Sequence, residues 1–341
     1  MKKLLSIVLA VVMTAVLFAG CGAAKTVKFG VGVYSYYEAG TNATEEAEGT
    51  GEVVSTAAAV MLDADGKIVK CVIDTVDYTA HWTLAGEDIT YENDEDIKTK
   101  YELGTNYGMA AYGNDVNGDG KVLEWNEQID AFCSVVEGKT IDEVKALVVD
   151  GYQGNEEVMN AGCTIGIADY VKALEKAVAN VQDSGATAND TLKLAFVSTD
   201  EGKGATEEAD GSVELEVTIV GAAVNADGKV SAMVTDAVQA AFGFNTVGAA
   251  TYDAAAEIKT KLEKGDSYNM AAYGTDLNGD GKVLEWYDQA AAFNAECLGK
   301  TASEISALVV DGYGVESLQT AGCTIGISDM VKAAVKAATV A

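Results

Sequence analysis

The chain has 341 residues, 53 acidic against 23 basic, for a formal net charge of −30, and it contains no proline. Its length favours two domains; its charge excludes a nucleic-acid phosphate backbone as partner, which needs a basic footprint; and the absence of proline excludes cis-proline turns and PxxP tracts. Aromatic content is only 7%, yet 49% of residues are hydrophobic and lie in long stretches, enough to build cores rather than disorder.

Residues 1–20 start with Lys2 and Lys3, continue as an unbroken apolar run and end in small residues, the pattern of a secretory signal whose positive end stays inside. The run is short for a membrane span. Leu17, Phe18, Ala19, Gly20 and Cys21 resemble the lipobox of bacterial lipoproteins. That resemblance implies cleavage before Cys21 and diacylation of the cysteine, with chains such as palmitate, so that lipid holds the mature protein at the extracytoplasmic face of the cell membrane. Loss of Lys2 and Lys3 takes the formal charge to −32, and anionic headgroups repel a body so acidic.

Next in the chain, TVKFGVGVY predicts a strand, and the β-branched runs around the DADG turn at 63–66 predict an antiparallel hairpin. Asp74 is placed at the end of the second hairpin strand, where turn chemistry accounts for it. Asp115, Asn117 and Asp119 then stand two apart before Gly120, followed by the Lys121 carbonyl. Oxygen donors at positions 1, 3, 5 and 7 around a glycine can wrap a hard cation, and calcium fits best. Position 12 departs from an EF-hand, with Asn126 in place of glutamate, which leaves Glu124 or Glu127 to substitute by altered geometry. The alternative is a solvated Asx-rich turn with no ion. EWNEQIDAFCSVV has apolar residues at helical spacing, IDEVKALVV suggests a short helix, and 167–181 predicts an amphipathic helix with Tyr170, Val171, Leu174 and Val178 on one side.

The whole order then returns. The segment YGMAAYGNDVNGDGKVLEWNEQIDA from Tyr107 recurs as YNMAAYGTDLNGDGKVLEWYDQAAA from Tyr268, identical at 18 of 25 positions. The second copy has its own hairpin turn at 225–228, its own Asp236, and a loop of Asp276, Asn278, Asp280 and Lys282 with Tyr287 at position 12 and Glu285 or Asp288 as substitutes. Two domains are expected, 26–182 and 191–341, joined by a small polar linker at 183–190. The expected fold class is α+β, each copy an antiparallel sheet packed with helices. The lack of predicted strands between successive helices argues against a doubly wound nucleotide fold.

Five cysteines follow Cys21, so they cannot all pair within one chain. They show no CxxC spacing and His81 is the sole histidine, which argues against zinc, haem or paired Cys-His catalysis; small buried thiols are expected. Gly162, Cys163, Thr164 and Gly166 precede one terminal helix, and Gly322, Cys323, Thr324 and Gly326 precede the other. From the residues alone, this AGCTIG segment reads either as an anion-receiving helix start or as ordinary capping and packing.

The YGMAAYG and YNMAAYG segments, the EWNEQIDAF and EWYDQAAAF helices, GKTIDEV and GKTASEI, and the threonine before a helix together resemble the extracytoplasmic FMN-binding domain family across most of both repeats. The resemblance implies tandem FMN-binding-like domains, with Thr164 and Thr324 as the threonines that join FMN through phosphate and Gly162 and Gly322 as their neighbours. Ala161 and Ala321 stand where flavinylated members have serine, and Cys163 and Cys323 where they have alanine. Bound FMN would bring electron transfer with a membrane redox partner. Tyr107, Tyr112, Trp125 and Tyr152, with Tyr268, Tyr273, Trp286 and Tyr313, read as ring neighbours or as core aromatics. The functional expectation is therefore a lipid-anchored flavin-carrying electron-transfer protein. The alternatives are a noncatalytic, calcium-stabilised cell-surface binding or structural lipoprotein, or a solute-binding lipoprotein with a cleft between its domains.

Overall fold

The computed structural model describes residues 25–86, 89–91, 97–111, 122–272 and 283–339. The first repeat begins with three long strands, β1 (Thr26–Thr41), β2 (Gly49–Leu62) and β3 (Ile68–Trp82), and a short β4 (Ile89–Tyr91). Helices α1 (Lys100–Leu103), α2 (Trp125–Val136) and α3 (Ile141–Lys145) follow, then the small hairpin β5 (Val148–Val149) and β6 (Gln153–Gly154), α4 (Glu156–Ala161) and α5 (Ala168–Ala179). After β7 (Gln182–Thr187), the second repeat runs β8 (Thr191–Lys203), β9 (Gly211–Val224), β10 (Val230–Phe244), α6 (Lys261–Lys264), α7 (Trp286–Cys297), α8 (Ala302–Ser306), β11 (Val309–Val310), β12 (Tyr313–Gly314), α9 (Glu316–Thr320) and α10 (Ser328–Ala338). The class is mixed α+β. Its sheets are antiparallel, in the orders β4-β3-β2-β1-β7 and β10-β9-β8.

The run of small and branched apolar residues along β2 is explained by burial on both faces. Ala58, Val60 and Leu62 face a helical layer that includes Trp125, Phe132 and Leu174. Ala57, Ala59 and Met61 instead join cores supplied by both sheets. A strand covered on both sides loses the apolar-polar alternation of a half-exposed one. Strand β9 repeats the pattern, with Val220, Ala222 and Val224 under α7 and α10 and Leu215, Val217 and Ile219 toward the first repeat. The layers are therefore helices, sheet, sheet, helices. Helix α5 lies so close on β1 that a Cβ at Gly32 would run into the backbone of Lys176 and Ala177, and only glycine permits that approach.

Across the sheet-sheet contact, Trp82 stacks on Phe244 with ring centroids 5.1 Å apart, and Tyr78 donates to Asp200 at 2.6 Å. Backbone bonds cross in both directions: Ala43 N–H to Gly248 O and Ala205 N–H to Gly86 O, each 2.8 Å. Residues 43 and 205, like 86 and 248, are equivalents in the two repeats, so the halves meet as an approximate twofold pair. The polar segment 183–190, expected as a linker, lies largely within the first sheet. Gln182 and Asp183 pair with Phe29 and Lys28 of β1, and buried Asp190 accepts from Thr187 and from Ser231 of β10.

Candidate functional site

The two threonine segments have the same local geometry. Gly162 ends α4 at φ 111° and Gly322 follows α9 at φ 106°, a left-handed backbone that glycine adopts freely. The next residue, Cys163 or Cys323, is fully buried, and burial pushes each thiol up to about 12. Thr164 then donates its backbone N–H at 2.9 Å and its hydroxyl at 3.1 Å to one oxygen, Oε1 of Gln128. The buried Gln128 amide completes the contact by donating to Leu123 O at 2.9 Å. In the second repeat Gln289 Oε1 receives the Thr324 N–H at 2.8 Å, the Thr324 hydroxyl at 3.2 Å and the Ile325 N–H at 3.2 Å. The glycines thus serve as helix stops, and the donors that would face a phosphate are already satisfied by a carboxamide oxygen. A phosphate-linked flavin would have to displace that oxygen, so the residues around Thr164 and Thr324 do not fit the group as they stand.

Among the aromatic candidates, Trp125 and Trp286 are core residues. Trp125 Nε1 donates to Tyr170 at 2.9 Å, and Lys100 lies over the Tyr107 ring at 5.2 Å while pairing with Asp77 at 2.8 Å. Lys261 takes the same place over Tyr268 and Trp286. Tyr152 and Tyr313 are more than half exposed, at 56% and 52%. Tyr112 and Tyr273 lie outside the described residues, as do Cys21 and the loop ligands Asp115, Asn117, Asp119, Lys121, Asp276, Asn278, Asp280 and Lys282.

The flanks of the two cation loops are described. Glu124 Oε2 accepts the Met109 N–H at 2.9 Å, and Glu285 Oε2 accepts the Met270 N–H at 2.9 Å, so each glutamate ties the chain after its loop to the chain before it. Glu127 is used within α2, accepting the Glu124 N–H at 2.9 Å. Position 12 differs between repeats. Asn126 Oδ1 is shielded from solvent and has no hydrogen-bond partner among the described residues, whereas the Tyr287 hydroxyl donates to Asp266 at 2.9 Å. Among the described residues no cluster of three metal-ligating His, Cys, Asp or Glu side chains occurs, and no helix is long and apolar enough to cross a membrane.

Sequence reasoning missed the role of Asp74 and Asp236. Neither ends its strand; both sit inside β3 and β10 with buried carboxylates. Asp74 Oδ1 accepts the Thr75 N–H at 2.7 Å and the Tyr101 N–H of α1 at 3.1 Å; Asp236 Oδ1 accepts from Ala237 at 2.8 Å and Leu262 of α6 at 3.1 Å. Burial pushes each carboxyl up to about 7, against the opposing pull of Thr99 or Thr260 and those N–H groups. Recurrence of the aspartate at the same offset in both copies was the available signal.

Asp74 also lines a cavity of about 590 Å³ that neither repeat forms alone. Val72, Ile73 and Tyr101 come from one side, and Leu194, Phe196 and Val335 from the other. The Tyr101 hydroxyl donates to Asp130 at 3.1 Å, and burial is the main cause of a raised Asp130 carboxyl. A second cavity, of about 380 Å³, lies partly on the equivalent surface of the second repeat, where Val234 and Leu262 line it, and is closed on the other side by Phe29 and residues 182–185. There Leu262 and Ala291 stand where the first has Tyr101 and Asp130. Neither cavity is lined by Thr164 or Thr324. Compared with protein-family models, curated proteins and solved structures, the chain gives no match in any of the three.

Proposed function

We propose that the protein is a lipid-anchored, extracytoplasmic binding protein that holds a small ligand, without catalysis, in the larger cavity between its repeats. The observation that carries this reading is a cavity that needs both repeats and combines apolar walls with charged and polar side chains from each. Its size suits a small molecule, Val72, Leu194, Phe196 and Val335 supply apolar wall, and Tyr101 with Asp130 on one side and Lys193 with Lys336 on the other supply polar groups that can fix orientation. The ligand class that suits such a wall is an apolar molecule bearing an amine or hydroxyl. Cys21 provides the anchor, and calcium in the two DxNxDG loops braces the helices on either side. Native mass spectrometry of protein taken from its own membranes tests the reading, with Val335→Trp filling the cavity from α10. A bound small molecule that Val335→Trp removes supports it. Absence of any bound molecule, or its retention in Val335→Trp, removes it.

Flavin carriage on FMN-binding-like domains, passing electrons to a membrane redox partner, is the second reading. What favours it is the identical placement of Thr164 and Thr324 in both copies; what weighs against it is the use of their donors by Gln128 and Gln289. Intact mass and a visible spectrum separate the two, since an FMN phosphate adduct at these threonines has both a mass and a colour.

A further inference from the structure

Cys71 of β3 and Cys133 of α2 place their sulfurs 3.1 Å apart within the helix-sheet core of the first repeat. A movement of about 1 Å separates that contact from the ~2.05 Å of an S–S bond. The other cysteines have scaffold roles: Cys163 and Cys323 are equivalents, both fully buried, and Cys297 fills the core position that Val136 holds in the first repeat. Cys71 and Cys133 have no such counterparts. Met233 and Asn294 stand at their equivalents, and there Thr235 Oγ1 donates to Asn294 Oδ1 at 2.6 Å to hold the same strand-helix junction. The two cysteines are therefore a joint departure from the repeat, present together in one copy and absent together from the other.

We infer that Cys71 and Cys133 form an intrachain disulfide, which closes a loop running from β3 through α1 to α2 and containing, in sequence, the first DxNxDG segment. The oxidant is an external disulfide, either an oxidised thiol-disulfide oxidoreductase or glutathione disulfide. One protein thiolate attacks it to give a mixed disulfide, and the second protein thiolate displaces the remaining external sulfur. Two protein S–H bonds are lost and one S–S bond forms, while the external disulfide is reduced to two thiols that take up both protons. In the packed state, contact with Cys71 and burial hold Cys133 as the thiol, so exchange precedes the packing of α2 on β3 or follows local opening. Only the place of oxidation rests on the export reading; the pairing rests on the geometry.

The test is refolding of the reduced full chain carrying Cys21→Ser, which removes the anchor thiol, in a glutathione redox buffer, followed by trapping of thiols and peptide mapping. The expected result is one link, Cys71 to Cys133, with Cys163, Cys297 and Cys323 trapped as thiols. The melting temperature of the oxidised chain should exceed that of the reduced chain by about 5 to 10 °C. Cys71→Ala should lose both the link and the response to reductant. Trapping of all five thiols, or a link between Cys133 and Cys163, overturns the inference. The same mapping on protein from the cell envelope reads the export expectation separately, because a link in the refolded chain beside free thiols in the cellular one counts against export and not against the pairing.

Discussion

Lys336 Nζ lies 2.6 Å from Oε1 of Glu102, while Oε2 of the same carboxylate accepts the Thr99 N–H at the start of α1. One glutamate thus helps cap its own helix and ties it to the other repeat. Lys176 and Glu263 repeat the arrangement in reverse, also at 2.6 Å, with Glu263 accepting from Thr260. These side chains are 29–40% exposed, so solvent screening keeps each pair within about 1 kcal/mol. Glu102→Gln keeps an acceptor for Thr99 and should lose no more than that, with the loss shrinking at high salt. Glu102→Ala should lose about 0.3–1.5 kcal/mol more through the cap. Urea denaturation of both variants at two ionic strengths checks the difference.

Stability should fall as pH rises from about 4 to 7. The folded carboxyls of Asp74 and Asp236 titrate near 7, above the ordinary 3.8. Between those values the folded chain binds more protons than the unfolded one, so the stabilising term is complete below the lower pH and is lost through the higher. A three-unit shift corresponds to about 4 kcal/mol per group at most. Asp74→Asn with Asp236→Asn, which keeps an oxygen for the helix N–H groups, should flatten this part of the profile. An unchanged slope in the double variant would sink the assignment.

Gln128 and Gln289 are expected to matter more for stability than their uncharged side chains suggest. Gln128→Leu leaves the part-buried Thr164 N–H and hydroxyl without their acceptor, at a cost toward the lower end of the about 1–3 kcal/mol of a fully buried unpaired group. Gln289→Leu should cost a similar amount, and the two losses should add because the sites share no partner. Chemical denaturation of the single and double variants provides the measurement.

Calcium should raise the melting temperature, with magnesium less effective, and the two loops should differ in affinity. Asn126 has an oxygen at position 12 with no partner among the described residues, whereas Tyr287 is engaged with Asp266. Calorimetric titration should resolve a tighter and a weaker site, the weaker near the 10⁻⁴ to 10⁻³ M range. Asn126→Ala should weaken the tighter site and leave the other unchanged. Thermal scans without any response to chelator would exclude the loops as cation sites.

A chain ending after β7 should not fold as a soluble monomer. Val53, Val76 and Trp82 would lose the cover that Leu215, Val217 and Phe244 provide, and each large apolar side chain left in water forfeits about 1.5–3 kcal/mol. Such a fragment should aggregate or self-associate until the complementary half is added, which size-exclusion chromatography with light scattering would show.

The hairpins around the DADG and NADG turns, and the helices beginning at Trp125 and Trp286, were legible in the sequence because their periods are local. The first terminal helix, expected over 167–181, spans Ala168–Ala179, and its counterpart in the second repeat spans Ser328–Ala338. What could not be read was which surface covered each strand. An apolar run such as Ala57 to Leu62 states that both faces are buried but not that the second cover is another sheet. For the same reason Asp74 passed as a turn residue. Its partners, Thr99 and Tyr101, are distant in the chain, and the cavity it lines needs Leu194 and Phe196 from the second repeat.

The crossed bonds of Ala43 with Gly248 and Ala205 with Gly86 have an evolutionary consequence. Two separate copies assembled on a twofold axis would carry every substitution twice, and a change that suited one cavity would alter its mate. Fusing the halves into one polypeptide removes that constraint. Asp130 can border one hollow while Ala291 occupies the matching place in the other, so a shared architecture can hold two chambers whose linings diverge independently.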